Sequence, residues 1–129
     1  MNAEERRSEL DRTTERIIGC AFKVSNTLGV GFLEKVYENA LTVELRKAGL
    51  AVQQQYPIKV WYEGIVVGDY AADLLVDDCV IVELKAASTI DPIHSAQCLN
   101  YLRATDLRVG LILNFGRPKL QIDRVVNGY

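Results

Sequence analysis

The segment Cys79-Val80-Ile81-Val82-Glu83-Leu84-Lys85-Ala86 constrains the fold of this 129-residue chain more than any other. Its side chains are apolar at successive positions until Glu83 and Lys85 interrupt the run. A strand that is apolar on both faces has to lie inside a sheet whose two faces are covered. We therefore expect a central strand here, with helices packed above and below it.

Three helices are predicted around this strand. Apolar residues recur at helical spacing over residues 13–28 and again over 32–49. Asp91-Pro92 reads as an N-cap followed by proline in the first turn, which opens a third helix ending near residue 104. On the second helix, Glu34 and Glu38 are four residues apart and share one flank, where we expect Glu38 to be solvated.

The remaining segments predict a mixed sheet. Short turns join the first three strands, which makes them antiparallel, and a helix joins the third to the fourth, which makes that pair parallel. The expected fold is a three-layer α/β/α domain in the order α-α-β-β-β-α-β-β. Pro57 indicates an edge position for the first strand. The predicted strands are 53–62, 65–76, 79–86, 109–115 and 120–126, within a single domain 1–129 that comprises an N-terminal helix 13–28, a core 32–116 and a C-terminal edge strand 119–126.

The charge balance limits the partners of the chain. The chain has 15 Lys and Arg and 17 Asp and Glu. The net charge of −2 argues against a protein that binds duplex DNA through a uniformly basic surface. Local basic groups remain possible phosphate contacts. Three cysteines with one histidine make a zinc site or a disulfide framework improbable, and no apolar run is long enough to span a bilayer, so we expect a soluble, cytoplasmic protein. The basic groups are Arg6, Arg7 and Arg12, and Arg117, Lys119 and Arg124.

Asp73 lies ten residues before Glu83, on the preceding predicted strand. The length of the loop between the two strands determines whether the two carboxylates converge. With a two-residue turn at Asp77-Asp78, Asp73 and Glu83 would face opposite sides of the sheet. A three-residue loop or a bulge at 77–79 would instead set them opposite each other. If the carboxylates converge, we predict the three-residue loop. Converging carboxylates and a backbone carbonyl suit Mg²⁺ or Mn²⁺, and a neighbouring lysine such as Lys85 can orient a water that attacks phosphorus.

These residues resemble the signature of the PD-(D/E)XK nuclease superfamily, with Asp73 followed by Glu83-Leu84-Lys85 on the next strand. The predicted α-β-β-β-α-β order is similar to the restriction-endonuclease-like core of that superfamily. Gly31-Phe32-Leu33-Glu34-Lys35-Val36-Tyr37 also matches the motif of the GxxExxY family, which is placed within it. Ala72 stands where the superfamily's name has proline. The resemblance spans roughly residues 28–115.

The resemblance implies a divalent-metal site. Asp73, Glu83 and the carbonyl of Leu84 would bind Mg²⁺ or Mn²⁺, and Glu34 corresponds to a further acid that many members carry on the first core helix. Lys85 would be the catalytic lysine. These roles are carried over from the family, residue by residue.

The third helix adds weaker candidates. Gln97 and Tyr101 look like the Gln-x-x-x-Tyr element of RecB-like nucleases, in which the glutamine lies near the active site. His94 shares their helical face and is a candidate for substrate contact, although capping is the commoner role of a lone histidine. Trp61 and Tyr62 are able to stack on bases, but core or interface packing is the favoured interpretation.

Three hypotheses follow. The first is a Mg²⁺-dependent nuclease that hydrolyses phosphodiester bonds, with DNA favoured as substrate and a metal-bound water, assisted by Lys85, as nucleophile. The second is an inactive relative that serves as a nucleic-acid or protein interaction module. The third treats the acids as a purely structural ion-pair network, which requires their side chains to diverge. At 129 residues the chain has little room for a separate specificity domain, so target choice would come from short loops, a second copy of the chain or a partner. We expect a homodimer, because dimers are common among nucleases that cut both strands.

Overall fold

The computed structural model describes residues 1–128, which form three helices and five strands in the predicted order. This arrangement confirms the α/β fold class, a restriction-endonuclease-like core preceded by an additional helix. The elements are α1 (Ala3–Leu28), α2 (Glu34–Lys47), β1 (Val52–Tyr62), β2 (Ile65–Val76), β3 (Val80–Lys85), α3 (Pro92–Thr105), β4 (Val109–Asn114) and β5 (Gln121–Val126).

The strands form one mixed sheet in the order β1-β2-β3-β4-β5. Only β3 and β4 are parallel, because α3 carries the chain back across the sheet between them. The segment that is apolar on both faces is therefore the central strand, as expected. Pro57 lies in β1, an edge strand, where a residue without an N–H is tolerated.

Two apolar layers cover the sheet. Val82 and Leu84 pack with residues of α1 and α2 on one face. Ile81 and Ile112 pack with residues of α3 on the other. Because side chains alternate along β3, Glu83 points towards the α3 side, where a carboxylate is surrounded by apolar groups.

Helix α1 begins at Ala3 rather than at residue 13. Asn2 caps it, since its side-chain oxygen accepts a hydrogen bond of 2.7 Å from the Glu5 N–H, and Glu4 and Glu5 suit the positive end of the helix. The first turns are exposed and therefore carry no apolar period. Within residues 1–128, no helix combines the length and apolar character needed to cross a membrane.

Tyr37 ties the α1–α2 connection to the core. Its hydroxyl donates to the Gly29 carbonyl at 2.6 Å and accepts from the Phe32 N–H at 3.2 Å, while its ring stacks on Phe115 at 4.8 Å. Gly31 has a φ of 109°, a conformation that favours glycine. Tyr37 is fully buried, and its hydroxyl binds the α1–α2 connection rather than a group at Asp73 and Glu83.

Candidate active site

The connection between β2 and β3 determines where the acids lie. It consists of residues 77–79, and its two aspartates adopt φ values of 50° and 55°, a left-handed conformation that aspartate tolerates. Leu74 pairs with Val82 in the resulting antiparallel register. The same register places Asp73 opposite Glu83. The three-residue loop predicted for converging carboxylates is thus confirmed.

Next to the Leu74–Val82 pair, carboxylate oxygens take the place of backbone carbonyls as hydrogen-bond acceptors between β2 and β3. The Asp73 N–H donates to Glu83 Oε2 at 2.8 Å, and the Leu84 N–H donates to Asp73 Oδ2 at 2.8 Å. Regular pairing of the two strands ends one residue earlier, and β2 continues as a partner of β1 alone. Each acid therefore satisfies a backbone donor of the opposite strand, which fixes both carboxylates at the point where the strands separate.

Burial couples the two acids. Glu83 is only 8% exposed. This burial, reinforced by the charge of Asp73, raises the pKa of Glu83 from 4.5 to about 8, while the Asp73 N–H and Lys85 act in the opposite direction. The reciprocal backbone bonds hold the two carboxyl groups close together. A proton or a cation is needed to relieve their repulsion at neutral pH.

Lys85 ends β3 two residues beyond Glu83, on the same face of the strand. It is half-buried, and its carbonyl accepts a hydrogen bond of 2.8 Å from the Phe115 N–H. Among residues 1–128, no carboxylate oxygen forms an ion pair with its ammonium at 4 Å or less. The acids converge and Lys85 is unpaired, so these residues do not form the structural ion-pair network of the third hypothesis.

The acid of α2 that approaches this region is Glu38. It is 4% exposed, whereas Glu34 lies exposed at the first residue of the helix. Gln54 Nε2 donates to Glu38 Oε2 at 2.8 Å, and Lys35 Nζ donates to the same oxygen at 2.9 Å. The expectation of a solvated Glu38 is wrong, because polar groups from β1 and α2 compensate its burial. The role of Glu34 stays a prediction.

Gln55 connects Glu38 to the acid pair. Its Nε2 donates to Glu38 Oε1 at 2.9 Å and lies 3.4 Å from Asp73 Oδ1. Its backbone has a φ of 53°, an unusual value for a residue within a strand. We did not identify Gln55 from the sequence. The available signal was the polar run Gln53-Gln54-Gln55 within a strand, because the β1–β2 register sets this run across from Asp73.

Helix α3 brings Tyr101 towards the acids. Tyr101 is 7% exposed, and its burial raises its pKa, with further contributions from Glu83, Tyr70 and Asp73. Gln97 lies one turn earlier on the same helical face and is exposed.

His94 caps the N-terminus of α3. Its Nδ1 accepts from the Asp91 N–H at 3.2 Å, and Asp91 Oδ1 in turn accepts from the Ile93 N–H at 3.0 Å. The capping role expected of a lone histidine is confirmed, and contact of His94 with a substrate stays a prediction.

Asn114 organises the chain that follows Lys85. It is fully buried, and its Oδ1 accepts from the N–H groups of Ala87 and Gly116, each at 3.0 Å. Its Nδ2 donates to the Ala87 carbonyl at 2.9 Å and to Gln121 Oε1 at 3.1 Å. We did not identify this residue from the sequence either, although it is the polar residue in the apolar segment 109–115.

The donors at the acid pair fit a hard divalent cation. Asp73 and Glu83 each use one oxygen for a backbone N–H and keep a second, which is the oxygen chemistry that Mg²⁺ and Mn²⁺ prefer. Among residues 1–128, no group of three or more Asp, Glu, His or Cys side chains is arranged to hold a metal. The rest of a coordination shell would therefore come from backbone oxygen, as predicted for Leu84, and from water.

A helix-covered mixed sheet with two acids and a lysine at its central strands defines a nuclease-like α/β domain. A family model described as the PD-(D/E)XK nuclease superfamily matches residues 11–125, and the chain belongs to that superfamily. The match includes Asp73, Glu83, Lys85 and all of α3. No curated protein and no solved structure matches the chain significantly.

Proposed function

We propose that this chain is a divalent-metal-dependent nuclease that hydrolyses phosphodiester bonds, with DNA as the favoured substrate. The observation that carries the proposal is the reciprocal bonding of Asp73 and Glu83, which brings two carboxylates together. Lys85 lies two residues beyond Glu83 on the same face of β3, and its ammonium forms no ion pair with a described residue. Membership of the superfamily supports a nucleic-acid substrate. The GxxExxY heptapeptide at residues 31–37 suggests the closer affiliation within it.

Asp73 and Glu83, with the carbonyl of Leu84, would hold Mg²⁺ or Mn²⁺. When bound, the cation would polarise the scissile phosphate and offset the charge that develops on it. Lys85 hydrogen-bonds the attacking water, orients it towards phosphorus and favours loss of its proton. Gln97, exposed on α3, contacts the substrate from the helix side of the sheet.

Glu38 acts on Asp73 through Gln55. The shared Gln55 amide restricts Asp73 Oδ1, the oxygen that does not bond the Leu84 N–H, so Glu38 serves as a positioning residue. Glu34, the helix acid implied by the resemblance, remains the competing candidate.

Two basic residues follow β4, near the end of β3 at which Lys85 lies. Arg117 and Lys119 are exposed in the turn that follows β4, and β4 ends opposite Lys85. A local pair of cations compensates for the net charge of −2 by attracting the phosphate backbone at the site itself. A cytoplasmic location and a homodimer complete the proposal, and light scattering on the purified chain tests the second.

Metal-dependent cleavage is the direct test. Labelled single-stranded DNA, duplex DNA and RNA are incubated with Mg²⁺, Mn²⁺ or EDTA and with either wild type or Lys85→Ala. We expect cleavage that requires the cation and that falls by about 10²- to 10⁴-fold in the variant. Lys47→Ala, which changes an exposed lysine at the end of α2, is the matched control and should retain activity.

Two outcomes contradict the nuclease proposal. One is cleavage that Lys85→Ala leaves unchanged, and the other is no cleavage of any substrate with either cation. Binding without cleavage would favour the inactive interaction module. Retention of Asp73, Glu83 and Lys85 together argues against that alternative, because a decayed site commonly loses one of its members.

A further inference from the structure

A groove lies between the β1–β2 hairpin and α3. Its volume is about 710 Å³, and its walls include Trp61 and Tyr70 from the hairpin and Gln97, Tyr101 and Arg103 from the helix. The groove leads towards the acid pair, because Tyr101 lines it and packs in one apolar cluster with Ala72 and Ile81. Ala72 directly precedes Asp73, and Ile81 lies two residues before Glu83.

The hairpin wall presents aromatic faces to solvent. Trp61 is 62% exposed and Tyr70 is 48% exposed, although rings of this size are normally buried. The ring of Tyr70 lies 5.7 Å from that of Tyr101, at an angle of 45°. A Cβ at Gly68 would lie 2.9 Å from Tyr70 Cε2, so the glycine leaves room for this ring. A register shift between Val60 and Trp61 allows both residues to line the groove.

The charge of the groove differs from that of the whole chain. Lys59 and Arg103 are among its lining residues, and within the described part of the chain that lining includes no carboxylate. Neither cation forms an ion pair with a described residue. The amides of Gln97 and Asn100 add donors and acceptors. The groove is thus suited to a polyanion with flat apolar groups, although the chain as a whole carries a net charge of −2.

We propose that this groove binds single-stranded nucleic acid, whose bases stack on Trp61 and Tyr70 while its backbone runs towards Asp73 and Glu83. Exposed rings beside cations are the combination that holds unpaired strands, because every base offers a face for stacking. A duplex cannot use these rings without unstacking its own bases. The inference rests on the proposed nuclease function, since it names the form of that enzyme's substrate.

Trp61 provides its own reporter, because it is the one tryptophan of the chain. Its emission is followed in EDTA, which prevents cleavage, during titration with an oligothymidylate of about 12 nucleotides, a length within known single-strand site sizes. Oligouridylate of equal length distinguishes RNA from DNA, and a duplex of equal length tests strandedness. We expect saturable quenching by a single strand and binding of the duplex that is at least about tenfold weaker.

Variants assign the effect to the groove. Stacking on one ring is worth enough that Trp61→Leu and Tyr70→Leu should each weaken binding of a dye-labelled oligothymidylate by about 5- to 100-fold, measured by anisotropy. Trp61→Phe keeps a ring and should recover most of the affinity. Tyr62→Leu is the matched control, because Tyr62 is 59% exposed beside Trp61 but does not line the groove.

Several results would overturn this inference. They are unchanged Trp61 emission at saturating oligonucleotide, equal losses in Trp61→Leu and Tyr62→Leu, duplex binding as tight as single-strand binding, or a dimer that buries Trp61. The test separates the two proposals. Binding with the expected variant pattern but no cleavage rejects the enzyme and keeps the groove, whereas Lys85-dependent cleavage with unaffected Trp61→Leu binding does the reverse.

Discussion

Glu83→Gln should remove a pH dependence of stability that the acid pair creates. Glutamine keeps the shape of Glu83 and an oxygen able to accept the Asp73 N–H, but it cannot ionise. In the native protein, burial and the charge of Asp73 raise the pKa of Glu83 from 4.5 to about 8. In the unfolded chain neither influence is present.

The sign follows from proton binding. Between about pH 4.5 and about pH 8 the native state binds more protons at Glu83 than the unfolded state does, so this group's contribution is complete below the unfolded pKa and is lost as pH rises through the folded one. Each pKa unit corresponds to about 1.4 kcal/mol, which gives at most roughly 5 kcal/mol across the window. That is comparable to the whole stability of a small domain, about 5–15 kcal/mol.

The free energy of unfolding is measured by urea titration in EDTA at about pH 5, 7 and 9. We expect wild type to lose several kcal/mol across this range relative to Glu83→Gln, and Glu15→Gln, at an exposed position on α1, to follow wild type. Equal slopes for wild type and Glu83→Gln would refute the reasoning. Added Mg²⁺ should restore stability mainly at the high end, because a metal ligand has to be deprotonated.

The remaining predictions concern positions around the acids. Asn114→Ala should lower the free energy of unfolding by about 2–4 kcal/mol in urea titration, because it leaves the half-buried backbone N–H groups of Ala87 and Gly116 without their acceptor. Gly110→Ala should cost about 1–3 kcal/mol, since its Cβ would lie 2.6 Å from Cys98 Sγ, and Cys98→Ala should recover part of that loss. Glu38→Gln should reduce kcat by about 10-fold through the mispositioned Asp73, with Glu34→Gln as its comparison.

Opposite outcomes would correct each of these statements. Additive effects of Gly110→Ala and Cys98→Ala would mean that α3 shifts to avoid the contact. Unchanged stability of Asn114→Ala would mean that water replaces the amide. Activity that Glu34→Gln lowers and Glu38→Gln does not would restore the helix acid that the resemblance implies.

The sheet was predictable because its signals are local. An apolar segment at 79–86 required cover on both faces, and the helix between the third and fourth strands required a parallel crossover. Because the 77–79 loop has an odd number of residues, Asp73 lies opposite Glu83 in the register. Each inference used residues close together in the chain.

The start of α1 is not visible in the apolar period because its first turns are exposed, and Asn2 alone marks it. The other differences come from contacts that reach across the structure. Glu38 was assigned to solvent because no helical pattern reveals that Gln54 and Gln55 arrive from another element. Asn114 was overlooked because its partners are backbone groups of a loop that follows a different strand.

The apolar character of β3 on both faces has a consequence for insertions and deletions. After a one-residue slip against β2, β3 would still present apolar side chains to both faces, so its hydrophobic pattern alone does not determine the register. The acid pair does depend on the register, because the slip turns Asp73 and Glu83 to opposite faces and leaves the N–H groups of Asp73 and Leu84 without their acceptors. The acids therefore fix the register of β3 against β2. Insertion or deletion of one residue in loop 77–79 would abolish the site, although Asp73, Glu83 and Lys85 would all remain in the sequence.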